Sequence, residues 1–68
     1  MVKVNEKYTH YKRGGKYKVV AIAKHHETTE DWVVYKSEGS GETYVRPRRE
    51  FEEVVDHDGA RVTRFRKL

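Results

Sequence analysis

The stretch Tyr17-Lys-Val-Val-Ala-Ile-Ala-Lys24 and the later stretch Asp31-Trp-Val-Val-Tyr-Lys36 decide the fold of this chain. Both are rich in β-branched and aromatic residues, which are typical of strands. The polar connection His25-His-Glu-Thr-Thr-Glu30 is too long for a two-residue turn, so it is predicted to be an open loop. The first stretch has apolar residues on both faces, as expected for a central strand of a small barrel.

Shorter strands are predicted on either side of this pair. They cover Tyr8–Lys12, Glu42–Arg46, Glu53–Asp56 and Arg61–Phe65. Turn signals separate them at Gly14-Gly15, at the glycine-serine tip Glu38–Gly41 and at Asp58-Gly59. Residues 1–7 and 67–68 are expected to fray.

Pro47 is predicted to end the sheet ladder and to start a single helical turn, because proline fixes φ and lacks an amide hydrogen. Many short strands with tight turns in so few residues favour a closed architecture. The sequence therefore predicts one all-β domain over residues 1–68. It would be a small SH3-like barrel of five to six short antiparallel strands with one short helical turn after Pro47.

The composition is very polar, with 35% apolar residues, 38% charged residues and a mean hydropathy of -1.04. A core built from so few apolar groups predicts a marginal monomer or a weak homo-oligomer. The chain has no cysteine, which excludes disulfides and thiolate metal sites. No apolar run approaches the length of a membrane span, so no membrane partner is expected and a cytoplasmic location is predicted.

The net charge of +4 conceals a dipolar pattern along the chain. Residues 1–24 carry seven Lys/Arg and one Glu, hence +6, whereas residues 25–58 carry four Lys/Arg and ten Asp/Glu, hence -6. The last ten residues add four Lys/Arg and no acid. Basic ends around an acidic middle weaken the simplest argument for nucleic-acid binding, which relies on an uncompensated basic stripe.

Several ordered motifs resemble a family of short bacterial and phage proteins, domain of unknown function 1653. They are Tyr8-Thr-His-Tyr-Lys12, Gly15-Lys-Tyr17, Ala23-Lys-His-His-Glu-Thr28, Val33-Val-Tyr35, Tyr44-Val-Arg-Pro47 with Phe51, and Arg64-Phe65. The resemblance implies an SH3-type barrel and no assigned activity. This chain departs from the family pattern at the glycine-serine tip, at Tyr44 (usually Trp), at Arg48 (often Leu) and at Glu50 (often Met).

The resemblance also implies a set of characteristic residues. In this sequence they are Tyr8, His10, Tyr11, Lys12, His25, Glu27, Thr28, Tyr35, Arg46, Pro47 and Phe51.

Basic residues interleave with tyrosines in the predicted strands. Lys12, Arg46 and Arg48 are candidates to grip an anionic ligand, because arginine offers a planar fork that matches a phosphate or a carboxylate. Candidates for stacking on that ligand are Tyr11, Tyr35 and Tyr44. Tyr17, Trp32 and Phe51 are assigned to the core, whereas Tyr8 is placed with the stacking tyrosines along one half-exposed groove.

Glu27 and Thr28 admit two interpretations. Glu27 orients the arginine fork for a ligand, or it pairs with Arg46 or Lys12 inside the fold while Thr28 caps the loop backbone. The second interpretation is favoured because so small a domain needs polar contacts to hold it together. His10 and His25 are candidates for hydrogen bonding, and no metal site is expected, since adjacent histidines on an extended chain point to opposite faces.

The chain carries no nucleophile elbow, phosphate loop or paired-carboxylate motif. We therefore predict a non-catalytic binding module without a cofactor, which engages a nucleic acid or a nucleotide. Two alternatives are an adaptor that docks a protein or a peptide in the aromatic groove and an oligomer that sequesters a small metabolite between subunits.

Overall fold

The structure, a computed structural model, describes residues 1–68 and consists of seven strands and one short helix. The elements are β1 (Lys7–His10), β2 (Gly14–Lys24), β3 (Asp31–Ser37), β4 (Thr43–Pro47), α1 (Arg48–Phe51), β5 (Val54–His57), β6 (Ala60–Thr63) and β7 (Phe65–Lys67). Five strands form one antiparallel sheet in the order β4-β3-β2-β1-β7, and β5 and β6 form a separate hairpin. The predicted small all-β fold is confirmed, whereas the SH3-like barrel stays a prediction.

The strand count exceeds the predicted five to six because the last predicted strand divides at Arg64. Residues before it pair with β5, and those after it form β7, which pairs with β1 through Thr9↔Arg66 and His10↔Phe65. Lys67, which was predicted to fray, belongs to β7.

The predicted pairing of the two central stretches is confirmed, with Val19 opposite Tyr35 and Ile22 opposite Val33. A bulge between Val19 and Ala21 shifts the register of β2. A bulge inserts one extra residue, so the side chains beyond it change faces. As a result Ile22 packs against the core whereas Val20 is exposed, although strict alternation would place these two residues on the same face.

The core lies on one face of the five-stranded sheet, beneath α1. It consists of Val2, Tyr8, Val19, Val33, Tyr35, Phe51 and Phe65. Phe51 and Phe65 stack with a centroid separation of 4.1 Å, so the helical turn after Pro47 closes the core. The core assignment is confirmed for Phe51.

The other aromatic predictions differ in outcome. Tyr17 is half-buried and packs against the core, whereas Trp32 is half-buried and does not belong to the core. Tyr8 and Tyr35, which were expected along an exposed groove, are buried, so that prediction is wrong. The lead-in that was predicted to fray also contains a core residue. Val2 is 5% exposed, and its amide donates a 2.9 Å hydrogen bond to Oε2 of Glu52.

Candidate anion-binding cleft

A cleft of about 620 Å³ opens at one end of the inner sheet face. Its size lies within the range of small-molecule sites. Its lining comprises four Lys or Arg side chains, one histidine and five aromatic rings, and includes no carboxylate: His10, Tyr11, Lys12, Arg13, Tyr17, Tyr35, Tyr44, Arg46, Arg64 and Phe65. A cleft with this lining attracts anions electrostatically.

Three tyrosines from adjacent strands form the aromatic wall. Tyr35 on β3 pairs directly with Tyr44 on β4, and their rings lie 5.7 Å apart at 29°. Tyr17 on β2 meets the Tyr35 ring edge-on at 5.8 Å. Because β4 is an edge strand, Tyr44 stays 36% exposed and presents a free aromatic surface.

The Tyr44 hydroxyl is anchored outside this wall. It donates a 3.0 Å hydrogen bond to Oε2 of Glu42, and this bond raises the pKa of Tyr44. The phenol therefore stays neutral, with its ring at the rim of the cleft.

Arg46 follows Tyr44 by two residues, so both side chains leave the same face of β4. Its Nε lies 3.4 Å from the hydroxyl of Tyr35, and its Nη1 lies 3.5 Å from Oε1 of Glu50. The guanidinium is thus held from two sides before any ligand arrives.

Arg64 approaches the cleft from the short segment between β6 and β7. Its Nε donates a 3.1 Å hydrogen bond to the backbone carbonyl of Glu50, and its Nη2 contacts Oε1 of Glu53. Glu50 therefore positions both arginines, one through its side chain and the other through its carbonyl.

Lys12 and Arg13 lie in the turn between β1 and β2 and are exposed. Neither has a carboxylate partner within 4.0 Å, unlike Arg46 and Arg64. His10 shapes this turn, because its Nδ1 accepts the amides of Lys12 at 3.1 Å and Arg13 at 3.2 Å. The lining therefore includes two cations without a carboxylate partner, Lys12 and Arg13, and two anchored ones, Arg46 and Arg64.

Burial lowers the pKa of His10, and the charges of Arg13, Arg46, Arg64 and Lys12 lower it further. The ring is therefore neutral at pH 7. Since Nδ1 accepts hydrogen bonds, the proton is assigned to Nε2, which has no hydrogen-bond partner within the protein.

Six of the ten predicted ligand-binding residues line this cleft, and four do not. The six are His10, Tyr11, Lys12, Tyr35, Tyr44 and Arg46. The other four are His25, Glu27, Thr28 and Arg48.

His25 and His10 lie at opposite ends of β2. His25 follows Lys24, the last residue of β2, whereas His10 pairs with Gly14, the first residue. The ring of His25 stacks on Trp32 at 5.5 Å, and its Nδ1 accepts the amides of Glu27 and Thr28. The predicted pairing of Glu27 with Arg46 or Lys12 is wrong. Arg46 pairs with Glu50 instead, and Lys12 lies in the turn before β2, whereas the 25–30 loop follows the last residue of β2. The predicted capping by Thr28 is confirmed, since its Oγ1 accepts the amide of Glu30 at 3.2 Å.

Arg48 is neutralised away from the cleft. Its Nη1 binds Oδ2 of Asp31 at 3.0 Å, and its Nε lies 3.5 Å from Oε1 of Glu52. The pKa of Asp31 is lowered by Lys24 first and by Arg48 to a lesser extent. Arg48 therefore joins α1 to the start of β3 rather than facing a ligand.

Four lining residues were not predicted: Arg13, Tyr17, Arg64 and Phe65. Arg13 adjoins the predicted Lys12, and Tyr17 was assigned to the core. Arg64 and Phe65 enter the cleft because the chain bends between β6 and β7. No pattern in the sequence indicates that bend.

No three His, Cys, Asp or Glu side chains converge in an arrangement that would hold a metal ion. The structure contains no helix of the length and apolarity that a membrane crossing requires.

A comparison with protein families matched residues 6–67 to the model described as "Protein of unknown function (DUF1653)". Neither a curated protein nor a solved structure matched the chain.

Proposed function

Because the chain belongs to the family of proteins of unknown function DUF1653, we propose a function from the cleft itself. The protein is a non-catalytic binding module that takes a nucleotide or a single-stranded nucleic acid. The observation that carries this proposal is the lining, in which four cations and five aromatic rings meet without any carboxylate. We also propose a cytoplasmic setting, where such ligands are abundant.

The charge distribution of the cleft supports an anionic ligand. Arg46 and Arg64 are held by protein contacts, so little side-chain entropy is lost when they bind a phosphate. The unpaired Lys12 and Arg13 add charge without first giving up a protein partner. The neutral His10 supplies one further donor at Nε2.

The tyrosines support a ligand that also carries a base. Every base can stack on an aromatic side chain, so this contact does not depend on the nucleotide sequence. Proteins that bind single strands combine such stacking with a cationic groove. Tyr44 offers an exposed ring at the rim, two residues before Arg46 on the same face of β4. A base on Tyr44 would place its attached phosphate toward the arginines.

The outer face of the sheet favours a second candidate function. Val20 is 49% exposed and Val45 is 59% exposed, and both lie on the face opposite the core. Exposed apolar groups on a sheet face are typical of protein contacts. A protein-binding adaptor, or self-association through this face, is therefore the alternative.

The test is a titration of isotopically labelled protein with AMP and with an unstructured oligonucleotide, at low and moderate salt, followed by heteronuclear NMR. Saturable shifts confined to Lys12, Tyr44, Arg46 and Arg64 that persist at moderate salt are expected. Shifts scattered over the basic surface and lost at moderate salt would contradict the proposal. Shifts that appear on dilution of the protein alone, around Val20 and Val45, would favour self-association.

A further inference from the structure

The outer face of the sheet carries three lysines side by side on three neighbouring strands. Lys7 on β1 lies opposite Lys18 on β2, and Lys18 lies opposite Lys36 on β3. Neighbouring strands are about 4.8 Å apart, so this lysine row extends roughly 10 Å across the sheet.

The lysine row is electrostatically unfavourable for the isolated protein. Like charges directly opposite each other on adjacent strands destabilise a sheet. Only Lys7 has a counter-charge, Oε2 of Glu38 at 3.3 Å, whereas Lys18 and Lys36 are exposed and have no carboxylate within 4.0 Å. An external anion would relieve this repulsion.

A second cleft of about 600 Å³ lies beside the lysine row. Its lining consists of Asn5, Lys18, Val20, Lys36, Ser37, Glu38 and Gly41. Two of the three lysines therefore border a concave surface and do not simply project from a flat one.

The lysine row and the first cleft lie on opposite faces of the same strands. Lys18 and Lys36 directly follow Tyr17 and Tyr35, which line the first cleft. At the sheet edge, Thr43 of β4 pairs with Lys36, and the next residue is Tyr44. A ligand that extends from the Tyr44 ring to Lys36 therefore has to pass around only one strand, the edge strand β4.

We propose that the lysine row continues the binding surface for a single-stranded nucleic acid. This inference rests on the proposed function of the first cleft. A base occupies the first cleft at Tyr44, the sugar-phosphate chain passes the β4 edge at Thr43, and the following phosphates lie along Lys36 and Lys18. The ligand is therefore a strand of several nucleotides and not a free mononucleotide alone.

The test compares AMP, a deoxyadenylate dinucleotide and a deoxyadenylate decamer by fluorescence anisotropy or competition across a salt series. The double variant Lys18→Gln/Lys36→Gln removes two phosphate contacts. Its matched control, Lys24→Gln/Arg61→Gln, removes the same charge from the far end of β2 and from β6. Loss of mutual repulsion should leave the melting temperature of the row variant unchanged or higher, so a folding defect will not obscure the result.

The decamer is expected to bind the wild type more tightly than the dinucleotide does. Its salt slope, d log K/d log[salt], should fall in magnitude by about 1.4 in the row variant, since each single-strand phosphate contact contributes about 0.7. The dinucleotide should bind the row variant as it binds the wild type, and the control should match the wild type with both ligands.

Equal salt slopes for the wild type and the row variant, with AMP still bound, would overturn this inference and leave the first cleft as a nucleotide site. Failure of all three ligands would instead overturn the proposed function. Binding to phosphatidylserine vesicles that needs Lys18 and Lys36, without any length effect for the oligonucleotides, would overturn the inference in favour of a membrane surface.

Discussion

The Nε of Arg46 lies 3.4 Å from the hydroxyl oxygen of the buried Tyr35. The two residues lie on neighbouring strands, and Glu50 holds the same guanidinium from α1. Tyr35 of the core and Glu50 of α1 therefore fix the position of Arg46 in the cleft. Arg46 is available to a ligand while its orientation is fixed by groups that already belong to the fold.

Replacing Arg46 by alanine is expected to weaken binding of an oligonucleotide by about 10- to 100-fold, because a hydrogen bond to a charged group contributes about 1.5 to 3 kcal/mol. Arg48→Ala is the matched control, since Arg48 pairs with Asp31 and Glu52 outside the cleft. Isothermal titration calorimetry of both variants tests this. Equal losses from the two substitutions would show that only overall charge matters.

Tyr44→Ala should weaken binding by removing the exposed stacking ring, at a cost of about 1 to 3 kcal/mol per base. Tyr44→Phe keeps the ring and loses only the bond to Glu42, so it should bind as the wild type does. Fluorescence anisotropy with the deoxyadenylate dinucleotide distinguishes the two variants. A loss in Tyr44→Phe as large as that in Tyr44→Ala would assign the effect to the hydroxyl and contradict stacking.

The part of the cleft that could be predicted from the sequence is the part built by local rules. Tyr44 and Arg46 share a face because strand side chains alternate, and Tyr35 joins them because β3 pairs with β4 across a short tip. Lys12 could be predicted because it lies close to the Gly14-Gly15 turn. Such contacts depend on neighbours in sequence or on one hairpin.

The other features of the cleft depend on irregularities of the chain, which leave no periodic pattern in the sequence. The bulge at Val20 changes which residues of β2 face inward, and the bend at Arg64 brings β7 back to β1. The placement of α1 over the sheet gives Arg46 a partner in Glu50, which leaves Glu27 without one. Each of these is set by long-range packing, which residue spacing does not encode.

Binding of an anion should strengthen as the pH falls below about 6.5, the ordinary pKa of histidine. In the free protein, burial and the charges of Arg13, Arg46, Arg64 and Lys12 lower the pKa of His10. A bound phosphate offsets these cations and raises that pKa, so the complex takes up a proton that the free protein does not hold. By linkage, affinity then increases as the pH decreases through this window.

The probe for this effect is a dinucleotide without a terminal phosphate, because a phosphomonoester itself titrates near pH 6. His10→Gln should make the affinity independent of pH between about 5 and 7. His26→Gln, in the exposed part of the 25–30 loop, should retain the wild-type dependence. A pH effect that survives His10→Gln would assign it to another group.

Phe51→Ala is expected to unfold most of the protein. Phe51 is 1% exposed and contacts the rings of Phe65 and Tyr8, so its loss leaves a cavity in the middle of the core. Such truncations cost about 3 to 5 kcal/mol, and a chain of this length has a total stability of only about 3 to 10 kcal/mol. Circular dichroism in a urea series tests this, with Phe51→Leu expected to remain folded at a lower midpoint. A cooperative wild-type-like transition in Phe51→Ala would contradict the assigned core.

Stability in acid should depend on Glu6, which links the N-terminal segment to β1 and to β7. Its Oε1 accepts the hydroxyl of Tyr8 at 2.7 Å and the amide of Lys3 at 2.9 Å, and its Oε2 lies 2.8 Å from Nζ of Lys67. The bonds from Lys67, Tyr8 and Lys3 lower the pKa of Glu6 from 4.5 to about 2.

Because this pKa is lower in the folded state than in the unfolded state, the stabilisation from Glu6 is complete above about pH 4.5 and is lost as the pH falls through about 2. Glu6→Gln should therefore lower the free energy of unfolding at pH 7, and its difference from the wild type should shrink steadily between pH 4.5 and pH 2. Glu27→Gln, which removes an exposed carboxylate without an ion pair, should match the wild type throughout. Urea unfolding at pH 7, 4 and 3 measures this, and a constant difference between Glu6→Gln and the wild type over that range would show that the charge of Glu6 is not what stabilises the fold.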